Sequence, residues 1–111
     1  MIKRERIVSM KTLKDLADFV KENKKFITQV HGAFGNYKIP VSDFGYDSKD
    51  HVMYLFCDED DTPIPVKDLL AASYKYPRIP IVIVNETLAE INNVKSFHTE
   101  YDYDDNYVIC D

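Results

Sequence analysis

Tyr-Leu-Phe-Cys-Asp at residues 54–58 recurs in nearly the same form as Tyr-Val-Ile-Cys-Asp at residues 107–111. The similarity extends upstream: when residues 66–111 are placed on residues 13–58 without a gap, eight of the 46 positions are identical. Composition alone would give roughly three identities over that length. We therefore expect a tandem duplication with a period of 53 residues. The alternative is a chance recurrence of the same order of helix and strands.

Each copy begins with a segment that predicts a short amphipathic helix. In the first copy, Thr12 and Asp15 have the spacing of a capping box, and apolar side chains recur on one helical face until about Asn23. In the second copy, Pro65 stands in the first helical turn, where a missing amide proton is tolerated. The apolar stripe there continues until Pro77, which ends it.

A segment typical of a β-strand follows each predicted helix. Residues 25–31 place Phe26, Thr28 and Val30 at alternate positions, and residues 78–84 are rich in β-branched side chains. Turn signals come next, at residues 32–36 and 85–86. Because Pro80 has no amide proton to donate, the second of these strands must lie at a sheet edge or begin after that proline.

The chain then returns through residues 37–44 and 87–97 to a third apolar segment in each copy. These third segments, residues 51–57 and 106–110, are nearly continuous apolar runs. Such runs are typical of strands that are covered on both faces or have neighbours on both sides. The cysteine in each is expected to be a small buried hydrophobic residue, and the aspartate after it marks the exit from the strand.

The expected fold is α+β. Residues 13–58 and 66–111 each form an αβββ module, and the two modules, related by pseudo-two-fold symmetry, share one mostly antiparallel sheet with two helices on one face. A shared core is expected because a single helix covers three strands poorly. Residues 58–65 form an acidic, Pro-containing linker, and residues 1–10 form a basic amino-terminal arm. At this length residues 1–111 make a single domain whose core needs no disulfide or metal.

Composition favours an ordinary globular protein, with 45% hydrophobic and 30% charged residues. We expect a soluble, cytoplasmic protein, because no window approaches 18 consecutive apolar residues and the basic start lacks the features of a signal peptide. Two cysteines are too few for a disulfide scaffold, and no histidine stands at ligand spacing from them. Free thiols and no cofactor are therefore expected.

The net charge of −5 is unevenly distributed. Residues 1–25 carry eight basic and four acidic side chains, whereas residues 26–111 carry six basic and fifteen acidic ones. An acidic body repels the phosphate backbone, so direct nucleic-acid binding is not expected. The basic arm is expected to be solvated, although it could touch an acidic partner.

The acidic clusters were assessed as metal ligands. Asp102, Asp104 and Asn106 have the 1, 3, 5 spacing of a calcium loop, but Tyr107 stands where that loop requires Gly. Asp and Asn also occur in tight turns because their side chains bond to the local backbone. A hairpin tip is therefore favoured over a metal site.

No catalytic constellation is visible in the sequence. The histidines His31, His51 and His98 each lie beside a predicted turn or strand end, which favours surface roles. Cys57 and Cys110 end apolar strands and precede Asp, so neither has the cationic surroundings of a reactive thiol. An enzyme that uses the carboxylate clusters is therefore the least favoured hypothesis.

The tyrosines and carboxylates in loops favour protein binding, because exposed Tyr is enriched at protein interfaces. The first hypothesis is a non-enzymatic interaction protein that binds itself or a basic protein through an uncovered sheet face or edge. The second is an acidic inhibitor that imitates a nucleic-acid backbone, as small phage and bacterial chains often do. The candidate partner-binding residues are Tyr46, Asp47, Asp50, Asp60, Asp61, Tyr101, Asp102, Tyr103, Asp104 and Asp105.

Overall fold

The computed structural model describes residues 10–23, 26–102 and 105–111. The described residues form two helices and seven strands. In chain order these are α1 (Leu13–Glu22), β1 (Gln29–Phe34), β2 (Tyr37–Asp47), β3 (Val52–Cys57), α2 (Val66–Lys75), β4 (Ile81–Asn85), β5 (Glu90–Asn93), β6 (Phe97–Asp102) and β7 (Asp105–Cys110).

The seven strands form one mixed, curled sheet in the order β5-β4-β3-β2-β1-β7-β6. Four neighbouring pairs are antiparallel, namely β1 with β2, β2 with β3, β4 with β5 and β6 with β7. The two parallel pairs are β1 with β7 and β3 with β4. The α+β class and the mostly antiparallel sheet are therefore confirmed.

Both helices lie where the sequence predicts them. Thr12 Oγ1 accepts a hydrogen bond from Asp15 N at 3.2 Å, and Asp15 Oδ2 accepts one from Thr12 N at 2.8 Å, so the predicted capping box forms. Pro65 is the N-cap of α2, and that helix ends two residues before Pro77. Within the described part of the chain, neither helix has the length and apolar character needed to cross a bilayer.

The two repeated pentapeptides end interior strands. Cys57 is the last residue of β3, which lies between β2 and β4, and Cys110 is the last residue of β7, which lies between β1 and β6. Both side chains are buried and both thiols are free. The prediction that these cysteines are core residues on strands with two neighbours is confirmed.

The predicted return segment of the second copy, residues 87–97, is wrong as a single strand. Val94, Lys95 and Ser96 interrupt it and separate β5 from β6, so the second half of the chain has four strands instead of three. Val94 N donates to Ile81 O at 3.1 Å, whereas Lys95 N donates to Asp111 O at 2.7 Å. The chain therefore changes partners at this point, from β4 to β7.

This change of partners curls the sheet. β5 and β6 are the outermost strands on opposite sides of the sheet, yet three residues join them. Three extended residues reach about 11 Å at most, so the two sides must approach each other. Lys11 extends the hydrogen bonding beside Ile81 and Val94, because its amide donates to Val94 O and its carbonyl accepts from Ile81 N.

The position of Pro80 is resolved by the sheet order. β4 begins at Ile81, immediately after Pro80, as one of the two predicted alternatives requires. The other alternative, that Pro80 blocks a sheet edge, is wrong because β4 lies between β3 and β5.

One core occupies the concave face of the sheet. Its side chains come from the helices, among them Leu13, Leu16 and Leu69, and from alternate positions of the strands. At its centre β1 passes so close to the opposite strands that a methyl group on Gly32 would lie 2.8 Å from Cys57 Sγ and 3.3 Å from Ile83 Cβ. The curl therefore depends on the absence of a side chain at this residue.

Gly32→Ala should lower the free energy of unfolding by about 1 to 3 kcal/mol, the usual cost of overpacking a close-packed core. Gly45→Ala is the control, because a methyl group there would meet Phe56 at 3.6 Å, an ordinary contact, and its effect should be close to zero or slightly stabilising. Adding Cys57→Ala to Gly32→Ala should cost less than the sum of the single changes. Urea denaturation of the four variants measures these differences, and equal costs for Gly32→Ala and Gly45→Ala would contradict the model of the core.

The two thiols should not react in the folded protein. Burial raises the pKa of Cys57 to about 12 and also raises the pKa of Cys110. A thiol-reactive dye at about pH 8 should therefore label neither cysteine within minutes in the native state, because the thiolate is the reactive species. In denaturant without reductant the dye should label both cysteines of each chain. Rapid native labelling, or no labelling after unfolding, would contradict this prediction.

Candidate functional site

A cavity opens at the carboxyl ends of the parallel strands β3 and β4. Its volume is about 240 Å³. Ligand sites of α/β proteins commonly lie beyond the carboxyl ends of adjacent strands, where loops diverge. The lining residues are Tyr37, Ile39, Asp58, Glu59, Asp60, Asn85, Thr87 and Leu88.

Asn85 forms the buried polar part of this cavity. It is the last residue of β4, pairs with Cys57 of β3 and is only 2% exposed. Its Oδ1 accepts a hydrogen bond from Leu88 N at 3.3 Å, which holds the turn between β4 and β5. No described residue accepts a hydrogen bond from its Nδ2, and this atom is not sealed from solvent. The amide nitrogen is therefore a free donor that opens into the cavity.

Carboxylates and apolar groups form the rest of the lining. Asp58 is half-buried and its Oδ1 accepts from Asp60 N at 2.9 Å, while Glu59 and Asp60 are exposed. Among the ion pairs of the described residues, none involves these three carboxylates. Ile39 is buried and Tyr37 is 62% exposed, so the cavity combines an apolar wall with an acidic rim.

A second feature is the outer face of β3, β4 and β5, on the side away from the core. Alternation in β3 turns Tyr54 and Phe56 outward, with ring centroids 6.0 Å apart. Val84 is adjacent in register to Phe56 on one side and to Ile91 on the other, and Ile91 is 63% exposed. We call this surface the outer patch, formed by Val52, Tyr54, Phe56, Val82, Val84 and Ile91.

Charged side chains cluster on the outer face of β2, β6 and β7. His98 Nδ1 lies 2.6 Å from Asp111 Oδ2, and His98 Nε2 lies 3.3 Å from Glu100 Oε2. Glu100 is also paired with Lys38, and this hydrogen bond lowers the pKa of Glu100. The cluster joins the last residue of the chain to β6 by solvent-exposed contacts, each of which contributes little stability.

His31 lies beside this cluster in a more enclosed place. Its ring stacks on Tyr107 with centroids 4.3 Å apart, and its Nε2 lies 2.9 Å from Gln29 Oε1. Burial lowers the pKa of His31, and the nearby Glu100 opposes that effect. The neutral imidazole is therefore the form that the fold favours.

The residues predicted to bind a partner lie at two ends of the sheet. Tyr46, Asp47 and Asp50 lie at the turn between β2 and β3, and Tyr101, Asp102 and Asp105 lie at the hairpin between β6 and β7. Because β3 and β7 run in the same direction, both turns lie at one end of the sheet. Asp60 and Asp61 follow β3 at the opposite end, so the structure does not bring the ten residues together. Tyr103 and Asp104 lie outside the described residues.

Local contacts give several of these side chains structural roles. Tyr46 stacks on Tyr76 with centroids 4.5 Å apart, and its hydroxyl lies 3.3 Å from His51 Nδ1. Asp47 Oδ1 accepts hydrogen bonds from two backbone amides of its own turn. Asp61 Oδ1 accepts one from Thr62 N at 2.8 Å. Such contacts are the turn chemistry that explains Asp in these positions.

Sequence reasoning missed Asn85 and Ile91. The pair Asn-Glu at residues 85–86 was interpreted only as a turn, and nothing local shows that its asparagine also faces a cavity. Ile91 was placed in an apolar return strand without a predicted face. The pairing of β4 with both neighbours decides both positions, and that pairing is not local in sequence.

Comparison with protein-family models, with curated proteins and with solved structures gave no match to this chain. Within the described ranges, no group of three or more His, Cys, Asp or Glu side chains is arranged to hold a metal ion. The chemistry available at the cavity is therefore hydrogen bonding by Asn85, charge attraction by three carboxylates and apolar contact.

His31 should make stability depend on pH. The unfolded chain takes up a proton near pH 6.5, whereas the folded protein, in which the pKa of His31 is lowered, stays neutral to lower pH. Protonation of the unfolded state then reduces the free energy of unfolding as pH falls below about 6.5. His31→Gln and His31→Phe should both lose this part of the pH dependence, measured by urea denaturation between about pH 7.5 and 5.5. An unchanged pH dependence in both variants would contradict the prediction.

Proposed function

We propose that the protein is a non-enzymatic interaction protein that binds another protein chain through the outer patch. The observation that carries this proposal is the group of apolar and aromatic side chains on the outer face of β3, β4 and β5, where Ile91 is 63% exposed, Tyr54 and Phe56 are half-buried, and Val82 and Val84 are buried beneath them. An exposed isoleucine beside two half-buried aromatic rings offers a partner an apolar anchoring point. Tyr and Phe also supply much of the binding energy at protein interfaces.

Acidic side chains border the outer patch on one side. Asp43 is paired with Phe56 across β2 and β3, and Asp47 is paired with Val52, so both carboxylates flank the patch. An apolar centre with a polar rim is the usual composition of an interface. The rim and the net charge of −5 favour a basic partner, whereas the apolar centre equally suits a second copy of this chain.

The alternative of a nucleic-acid decoy has less support. A decoy needs carboxylates spaced along one continuous surface, and the described acidic clusters proposed for that role are divided between the two ends of the sheet. A metal-dependent enzyme has no assembled ligand group in the described residues to support it. A cytoplasmic location stays our proposal, because two free, buried thiols are compatible with a reducing compartment.

We also propose that residues 13–58 and 66–111 arose by duplication and retain pseudo-two-fold symmetry. The parallel strand pairs support this. Val30 of β1 pairs with Val108 of β7, and the positions 53 residues away, Ile83 and Leu55, pair with each other in β4 and β3. The helices and the last strands of the two copies also begin and end 53 residues apart. On this proposal β5 and β6 together correspond to β2.

Ile91→Lys tests the proposed interface, because this exposed side chain is not needed for the core. Phe26→Lys is the matched control, since Phe26 is 79% exposed and lies outside the outer patch. If the chain associates with itself, light scattering should give the mass of a dimer for wild type and Phe26→Lys and that of a monomer for Ile91→Lys. Apolar association should persist at high salt, since salt screens only the charged rim.

If the wild type is monomeric, the same variants apply to a pulldown from host lysate. A protein captured by wild type and Phe26→Lys but lost with Ile91→Lys would support a basic or apolar partner, and the salt dependence of its release would distinguish them. A monomeric wild type whose captured proteins do not depend on Ile91 would contradict the proposal.

A further inference from the structure

We propose that the cavity beyond β3 and β4 binds a small organic cation that also carries a neutral oxygen acceptor, a class that includes amino sugars and cyclic amino ethers. This site is separate from the outer patch, and its occupant is a small molecule. The proposal rests on two features around one apolar cavity: the amide donor of a buried residue, and carboxylates outside any ion pair of the described residues.

Asn85 provides the first requirement. Its position at the end of β4 is 98% buried, and its Oδ1 is used by the turn that Leu88 begins. Its Nδ2 opens into the cavity without an acceptor from the described residues. A ligand that enters the cavity excludes water from this donor, so the inner end of the ligand should supply a hydrogen-bond acceptor in its place. Because carboxylates surround the mouth, that acceptor should be neutral.

The rim provides the second requirement. Asp58, Glu59 and Asp60 line the cavity, and none takes part in an ion pair among the described residues. Three carboxylates at one mouth repel each other and attract a cation. The exposed ring of Tyr37 stands beside them and can receive a cation over its face. The outer end of the ligand should therefore be a protonated amine.

Size and wall chemistry limit the ligand further. A volume of about 240 Å³ is smaller than the sites of drug-sized ligands. Ile39 and Leu88 provide apolar contact between the buried donor and the rim. One substituted six-membered ring would meet the amide, the apolar wall and the carboxylates together.

Three probe molecules, each a single six-membered ring, test the need for an amine and the need for an oxygen acceptor separately. Morpholine has a protonated amine and an ether oxygen at about neutral pH, piperidine lacks the oxygen, and tetrahydropyran lacks the amine. Titration of the ¹⁵N-labelled full chain with each probe, followed by NMR, should shift the Asn85 side-chain amide and the backbone amides of Asp58 and Leu88. Morpholine should bind most tightly, with an advantage of roughly threefold to tenfold over each of the other two probes.

Two variants show which residue causes the preference for the oxygen acceptor and which causes the preference for the amine. Asn85→Asp keeps the acceptor for Leu88 N but removes the donor, so the preference for morpholine over piperidine should disappear while the preference for morpholine over tetrahydropyran remains. Asp58→Asn should reduce the preference for the amine and keep the preference for the oxygen. Asp50→Asn, at the opposite end of the sheet, is the control and should change neither ratio.

Ratios of affinity are used because they do not depend on the fraction of a variant that is folded. The proposal would be overturned if all three probes gave equal shifts. It would also be overturned if no probe shifted the amides of the cavity residues. Ratios that stay unchanged in Asn85→Asp and Asp58→Asn would also overturn it. None of these outcomes bears on the outer patch, which the Ile91→Lys experiment tests separately.

Discussion

The rest of the structure depends on the three-residue connection between β5 and β6. These strands stand on opposite sides of a seven-stranded sheet, and Val94, Lys95 and Ser96 are too few to cross a flat sheet of that width. The sheet must therefore curl until its sides meet, and the concave face becomes one enclosed core. Gly32 permits the curl, because any side chain at that residue would collide with Cys57 and Ile83.

Closure also decides where polar groups can lie. Inside the curl, apolar side chains fill the space and both thiols are inert because burial raises the pKa of each. Of the described residues, two polar side chains are buried. Ser73 in α2 donates to Leu70 O, and Asn85 lies where the strands end and loops diverge. The shape of the cavity is therefore a consequence of how the sheet closes.

Local signals in the sequence predicted the helices and most of the strands. Pairing between residues distant in sequence decided how the strands are divided and which side chains share a face. The capping box at Thr12 and the apolar pentapeptides each depend on a few neighbouring residues and were predicted correctly. The turn predicted at residues 32–36 is confined to Gly35 and Asn36, because β1 continues to Phe34. The division of residues 87–97 depends on Ile81 and Asp111, which are distant in sequence, and was missed. The candidate binding residues were chosen because they are acidic or tyrosine, but residue type does not show which end of the sheet a loop occupies. Register, in contrast, determines which side chains share a face.

The parallel strand pairs explain why an internal repeat should produce two unlike surfaces. If the copies exchange partners, so that the first strand of each pairs with the last strand of the other, equivalent positions occupy symmetric places in one sheet. Asn85 then corresponds to Gly32, and Ile91 corresponds to Lys38. One copy keeps a glycine where the core is tightest and a lysine in an exposed ion pair. The other copy places an amide at a cavity and an exposed isoleucine on the outer face, so Asn85 and Ile91 are positions at which the copies differ, whereas Asp58 and Tyr54 are identical to Asp111 and Tyr107.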